Sequence, residues 1–294
     1  MSKRVLAVMA IGKKYQSHLK KSEFMFQWYA KRCQAEFVVI DKPLDPKMKH
    51  NLLMQKMLFA SFVSNADEAV LLDLDMLISP KAKNIFEIIH HDAHLYACID
   101  PYGTDRFKKT AQRLWKKENI QDITHPQYFE NAGLKDLINP QDFFALNGGA
   151  YLLKPKLVGE SLQNLYHTCT EKYSLTPLAL RHEECMMAFY SQSSKIFQSL
   201  PQTFNYQIIF DLFGTPLFHE IPGLIDTLYR KIMRRVVVFS ELKKNFIPRS
   251  YQFHPKYLQY ISSRLESESI LHFAGGYVIP DQFLQPSLYP NLPE

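Results

Sequence analysis

Asp73 and Asp75, separated by one leucine, are the residues whose types and spacing most directly suggest chemistry. They follow Ala69-Val70-Leu71-Leu72, an apolar run of the kind that forms a strand buried on both faces. In α/β sheets ligands bind at the carboxyl ends of strands, so the spacing places two carboxylates at a binding edge. Like charges held this close are costly unless a cation or hydrogen-bond donors compensate them. Oxygen ligands of this kind suit Mg2+ or Mn2+, either of which can bridge to a diphosphate. An Asp pair capping a turn is the plainer alternative. His90 and His94 have a zinc-like spacing, but at a predicted helix end the favoured reading is that they complement the helix dipole. Cys33, Cys98, Cys169 and Cys185 include no C-x-x-C pair and read as reduced, buried thiols. The sequence offers no Ser/His/Asp or Cys/His constellation.

The elements that must position the aspartates read as follows. Val5 to Ala10, Glu36 to Ile40, Ala69 to Leu72 and His94 to Ile99 have strand character. Between them, 17–33 and 47–64 carry apolar residues at helical spacing, and Ser79-Pro80 predicts a helix running to about His90. This βαβαβαβ rhythm predicts an α/β fold, a mostly parallel sheet with helices on both faces. Residues 101–145 form a polar excursion with one predicted helix, Arg106 to Lys117. Patterning returns with Phe143 to Leu153, helices near 156–173 and 177–192, a basic, aromatic stretch over 214–268, and a last strand from Ser269 to Phe273.

Composition bounds the function classes. With 294 residues, 46% hydrophobic and 22% charged, the chain is ordinary globular material, which excludes disordered and fibrous classes. A net charge of +6 fits anionic small molecules or a membrane surface and is too diffuse to argue for nucleic acid. The basic-then-apolar start reads as a first buried strand rather than a signal peptide, because Lys13-Lys14 follows at once. No apolar run approaches the roughly 18 residues that span a bilayer. A cytoplasmic protein is expected, with 228–264 as a possible peripheral contact to an anionic membrane.

Two enzyme classes place Asp-x-Asp after a strand. A phosphatase of the haloacid-dehalogenase type would use Asp73 as nucleophile, but its motif ends in Thr or Val where this chain has Leu77, and no later Asp-Asp pair follows. The chain more closely resembles glycosyltransferase family 8, the retaining group that includes glycogenin and bacterial lipopolysaccharide glycosyltransferases. Leu71-Leu72-Asp73-Leu74-Asp75 is similar to its Asp-x-Asp strand and Phe144-Ala-Leu-Asn147-Gly-Gly to its Phe-Asn-x-Gly segment. His182-Glu183-Glu184 is similar to its Asp-Gln helix, and His272-Phe-Ala-Gly275 to its terminal His-x-x-Gly motif.

The resemblance implies a GT-A fold, Rossmann-like, as a single domain over 1–294. Within it lie a nucleotide-binding lobe (1–100), an acceptor lobe (101–280) and a tail (281–294). It implies Asp73, Asp75 and His272 as ligands of Mn2+ or Mg2+, and a UDP-sugar as donor. Ala10 and Gly12 would let the uridine approach the backbone, Tyr15 would stack on uracil, and Lys56 and Gly275 would contact the donor. Glu184 stands where the family has Gln; it and Glu183 would lie under the sugar, with Asn147 bonding donor or acceptor. The family's terminal Lys is missing from Gly276-Tyr-Val-Ile-Pro280, leaving Arg249, Lys256 and Arg264 as candidate diphosphate clamps. The expected reaction transfers a hexose to a glycan, lipid-linked or protein hydroxyl. Asp100 and Asp105 would face the acceptor. A catalytically inactive nucleotide-sugar-binding protein is the remaining alternative.

Overall fold

A computed structural model describes residues 2–48, 52–90, 92–100, 144–173, 183–194, 196–208, 211, 255–274 and 278–290. The chain divides into two compact units, the first made of Met1–Lys20, Ala30–Leu74 and Asn84–Gln202, the second of Lys21–Tyr29, Asp75–Lys83 and Thr203–Glu294.

The first unit is built on a six-stranded sheet. Its strands are β1 (Arg4–Met9), β2 (Glu36–Ile40), β3 (Glu68–Leu72), β5 (Leu95–Asp100), β6 (Ala145–Leu153) and β7 (Phe197–Ser199), with β4 (Met76–Ile78) belonging to the second unit. The order is β2-β1-β3-β6-β5-β7. β1 runs parallel to β2 and β3, and β5 parallel to β7, whereas β6 is antiparallel to both of its neighbours. The sheet is therefore mixed, because the long excursion after β5 returns as β6 and enters between β3 and β5. Val5, Leu6, Ala7 and Val8 are all buried, so β1 reads as a continuous apolar run rather than an alternation.

One face of this sheet carries the main core. Val5, Ala7, Leu71 and Tyr151 pack there with Met57, Phe59, Val63, Val158, Leu162, Tyr166, Met186 and Phe189. These come from a short helix α2 (Phe59–Phe62), from α3 (Pro155–Tyr173) and from α4 (Glu183–Ser193), together with neighbouring turns. Each fully buried large side chain contributes roughly 1.5–3 kcal/mol relative to exposure.

The expected helix over 47–64 is not continuous. It is a 3-10 turn at Pro46–Met48, a second at Met54–Leu58, then α2. The Gln55 amide bonds Asp45 N–H, Asp45 C=O and Met48 C=O, which closes the preceding loop with side-chain bonds. The tight turn buries all five residues Met54–Leu58. The helix expected from Ser79 to His90 is also absent. Ser79 Oγ does accept from Lys81 N–H, but the Lys83 C=O accepts from Tyr29 OH at 2.7 Å and its N–H is bonded to Ser269 Oγ. With those groups spent, helical turns begin only at Ile85–Ile88, capped by Asn84. The helix expected over 106–117 lies outside the described residues.

In the second unit, β4 (Met76–Ile78), β9 (Ile270–His272) and β8 (Tyr206–Gln207) form a sheet in the order β4-β9-β8. Helix α1 (Lys13–Arg32) lends this unit Lys21–Tyr29, from which Met25 Sδ accepts from Ile78 N–H and Trp28 Nε1 donates to Pro290 C=O. Helix α5 (Pro255–Ser267) contributes Tyr260 and Arg264, which meet Tyr206 OH on a single oxygen of Asp211 at 2.6–2.7 Å.

Candidate functional site

The strand β3 ends at Leu72, and Asp73 N–H donates to Gly149 C=O at 2.9 Å. That bond carries the β3–β6 register one step past Leu72↔Ala150, while on its other side β6 does not run straight. Its pairing with β5 jumps from Ala97↔Tyr151 to Cys98↔Asn147, so Gly148, Gly149 and Ala150 bulge out of the ladder on that side. Bulges of this kind redirect groups that the ladder would otherwise use. Gly148 C=O accepts from Lys56 Nζ at 2.9 Å, and Gly148 N–H donates to Glu184 Oε1 at 2.9 Å. Asn147 Oδ1 accepts from Gly149 N–H at 3.0 Å. A Cβ on Gly148 would collide with Glu183 Oε1 and come within 3.1 Å of Tyr151 OH, so any larger residue must displace the Glu183 carboxylate.

Lys56, Glu183 and the half-buried Asp73 form a charge cluster. Lys56 Nζ lies 2.7 Å from Asp73 Oδ1 and 3.0 Å from Glu183 Oε1. Neither Lys56 nor Glu183 lies on a solvated helix face, with side chains only 7% and 2% exposed. Burial works against the charge on Lys56, yet Asp73 and Glu183 outweigh it and hold the ammonium protonated. Burial pushes the Glu183 carboxyl up to about 7 against the pull of Lys56, with Glu184 and Asp73 adding to the rise. Lys56 is thus paired with two carboxylates, and Glu184 is near enough to act on Glu183, so acidic groups outnumber the cation, which favours a further cation.

In the second unit, His272 Nε2 stands 3.4 Å from Asp75 Oδ1. Behind it, Asn205 Oδ1 lies 2.9 Å from His272 Nδ1, and both residues are buried. An amide oxygen only accepts, so in the tautomer with the ring proton on Nδ1 that nitrogen donates to Asn205 and Nε2 turns its lone pair towards Asp75. Two acceptors facing each other at that distance suit an electrophile between them. One ligand atom from each of Asp73, Asp75 and His272 lies within 4.8 Å of the others. Ligand bonds of about 2.0–2.2 Å make such a set compatible with one ion, and its oxygen and imidazole chemistry fits Mn2+ or Mg2+. Asp73, Asp75 and His272 could therefore hold a metal ion.

The β1–α1 loop leaves the sheet at the same edge as Asp73, since Val8 pairs with Leu72. Ala10 is buried, with its N–H on Ile40 C=O, and Gly12 has φ +88°, a conformation that favours glycine. Space beside Gly12 is open, and Tyr15 is 47% exposed, with Lys14 Nζ 5.8 Å from its ring. Asp100 is buried at the end of β5. Gly275, Arg249, Asp105 and most of 228–264 lie outside the described residues. Of the proposed clamps, Lys256 is exposed on α5 and Arg264 is engaged with Asp211. Asn205 and the bulge at Gly148 were not foreseen. Asn205 lies 67 residues before His272, and no spacing rule links them.

No protein-family model matches the chain, and no curated protein matches it in sequence. Solved structures do match in shape. A glycosyltransferase involved in glycosylation of the major capsid of PBCV-1 superposes with TM-score 0.51 at 11% identity, over 96% of this chain and 97% of that one. The galactosyltransferase LgtC, in complex with donor and acceptor sugar analogs, gives TM-score 0.52 at 10% identity, over 99% and 98%. An active-site mutant of LgtC gives 0.51 at 12%, again over 99% and 98%. Among the described residues no helix is long and apolar enough to cross a membrane. At these identities what is shared is architecture: the chain has the GT-A fold of nucleotide-sugar glycosyltransferases.

Proposed function

We propose that the protein is a metal-dependent retaining glycosyltransferase that moves a hexose from a UDP-sugar to a hydroxyl of a glycan, a glycolipid or a protein. The observation that carries this reading is the His272 imidazole, oriented by Asn205 so that its lone pair faces Asp75. A metal ligand requires that arrangement, in which a neighbour holds one ring nitrogen and turns the other towards the ion.

In this reading Asp73, Asp75 and His272 hold Mn2+ or Mg2+, which supplies Lewis-acid stabilisation of the charge on departing UDP. The chain's own residues do the positioning. Ala10 and Gly12 admit the base and ribose to the backbone, and Tyr15 stacks on uracil. Lys56 keeps Asp73 and Glu183 in place through its two ion pairs, and Gly275 contacts the diphosphate. Glu184, anchored by Gly148 N–H, would stabilise the oxocarbenium-like charge on the sugar, with Asn147 orienting donor or acceptor. The acceptor proton passes to the leaving phosphate oxygen, so no separate strong base is required. The same reading places the protein in the cytoplasm, with 228–264 as a contact to an anionic membrane surface.

The test is UDP release from a panel of UDP-hexoses in Mn2+, with the product anomer read by NMR. The expected result is slow hydrolysis of one donor with retained configuration. An inverted anomer would refute the retaining mechanism. Phosphomonoester hydrolysis abolished by Asp73→Ala, without UDP release from any donor, would select the phosphatase alternative.

A further inference from the structure

Strand β8 ends at Gln207, whose register partner on β9 is His272, and Met76 on β4 pairs with His272 from the other side. Register partners on neighbouring strands project to the same face. Met76, His272 and Gln207 therefore form one row across the small sheet. Gln207 is 4% exposed, and neither its Nε2 nor its Oε1 has a hydrogen-bond partner among the described residues. Asn205, two residues earlier, is spent on His272 Nδ1.

A buried amide unpaired at both ends is an exception in folded chains, and such exceptions mark places where something else completes the bonding. The chemistry of that something is constrained. An anionic phosphate accepts only, and would leave Oε1 unpaired. A bare cation would satisfy Oε1 and leave Nε2 unpaired. A hydrated divalent cation bound to a phosphate oxygen offers both, since its water donates and the phosphate accepts. We infer that Gln207 is a ligand-binding residue of the Asp75–His272 site. Its amide carbonyl accepts a hydrogen bond from the cation's water, and its amino group donates to a phosphate oxygen of the bound nucleoside diphosphate. The identity of that ligand rests on the function proposed above.

The experiment compares Gln207→Met and Gln207→Glu with the unaltered chain, titrating first Mn2+ alone and then UDP in Mn2+ by calorimetry, alongside urea unfolding without ligand. Gln207→Met replaces an unpaired amide with an apolar side chain of similar length, so resistance to urea should rise or hold. UDP affinity in Mn2+ should fall about tenfold or more. Gln207→Glu should bind Mn2+ alone at least as well as the unaltered chain and UDP in Mn2+ more weakly, a split that a purely structural glutamine would not give. It also decides the matter if the methionine variant folds poorly. Unchanged UDP affinity in both variants would overturn the inference and assign the amide to an internal water. Absence of UDP binding by the unaltered chain would instead refute the proposed function.

Discussion

Lys56→Met tests the charge cluster of the first unit. The substitution keeps the aliphatic volume and deletes an ammonium bonded to Asp73 at 2.7 Å, Glu183 at 3.0 Å and Gly148 C=O at 2.9 Å. Asp73, with its side chain 29% exposed, can turn to water, but Glu183, at 2%, cannot. Removing one partner of a buried pair costs about 3–5 kcal/mol, because the other charge is left without compensation. Glu183 can escape that cost by taking up a proton, so the loss should be largest near pH 8 and about half as large near pH 5.5. Adding Glu183→Gln removes the stranded charge and should recover about 1–3 kcal/mol, a coupling typical of contacting groups. The assay is urea unfolding followed by far-ultraviolet circular dichroism at both pH values. A Lys56→Met variant within about 1 kcal/mol of the parent at pH 8, or a double variant no better than the single, would refute the claim that the cluster is a tight buried ion pair.

Other expectations follow from the same geometry. Gly148→Ala should destabilise by about 1–3 kcal/mol, since its Cβ would displace Glu183, while Gly159→Ala, whose Cβ meets nothing nearer than 3.5 Å, should be neutral or stabilising in thermal melts. Asn205→Leu should weaken Mn2+ binding roughly 10–100-fold in a calorimetric titration, because it frees the His272 ring to take the other tautomer; unaltered affinity would contradict the orienting role. Glu183 titrates higher in the folded than in the unfolded chain, so its contribution to stability is full below about pH 4.5 and is lost as pH rises towards about 7. Glu183→Gln should flatten that fall in urea midpoints, and an unchanged pH slope would show that the group titrates normally.

Much of this site was legible in the sequence. Asp73 and Asp75 announce themselves because a strand buried on both faces must end before two carboxylates, and their one-residue spacing survives any error in strand boundaries. His272, Glu184 and Asn147 came from ordered motif resemblance, and the structure gives Asn147 and Glu184 a common anchor in the Gly148–Gly149 backbone. The parallel pattern of the first strands was equally readable, but the antiparallel entry of β6 was not, because hydrophobic periodicity carries no strand direction. The helix over 47–64 misled for a related reason. A 3-10 turn with every side chain buried shows the same apolar density as a helix, and the decisive Gln55 bonds to Asp45 and Met48 leave no periodic trace. Lys56 could be read only as a surface or donor-facing cation, because its burial depends on a partner, Glu183, far away in the chain. Asn205 and Gln207 likewise acquire meaning only when β8 pairs with β9.

The most direct measurement is calorimetric titration of UDP into the protein, in Mn2+ and then in EDTA, with Asp75→Asn in parallel. The account predicts binding in Mn2+ that disappears in EDTA and weakens at least tenfold in the variant, as loss of one charged ligand requires. UDP binding equally well in EDTA, or no binding in either condition, would contradict a donor site built on Asp73, Asp75 and His272.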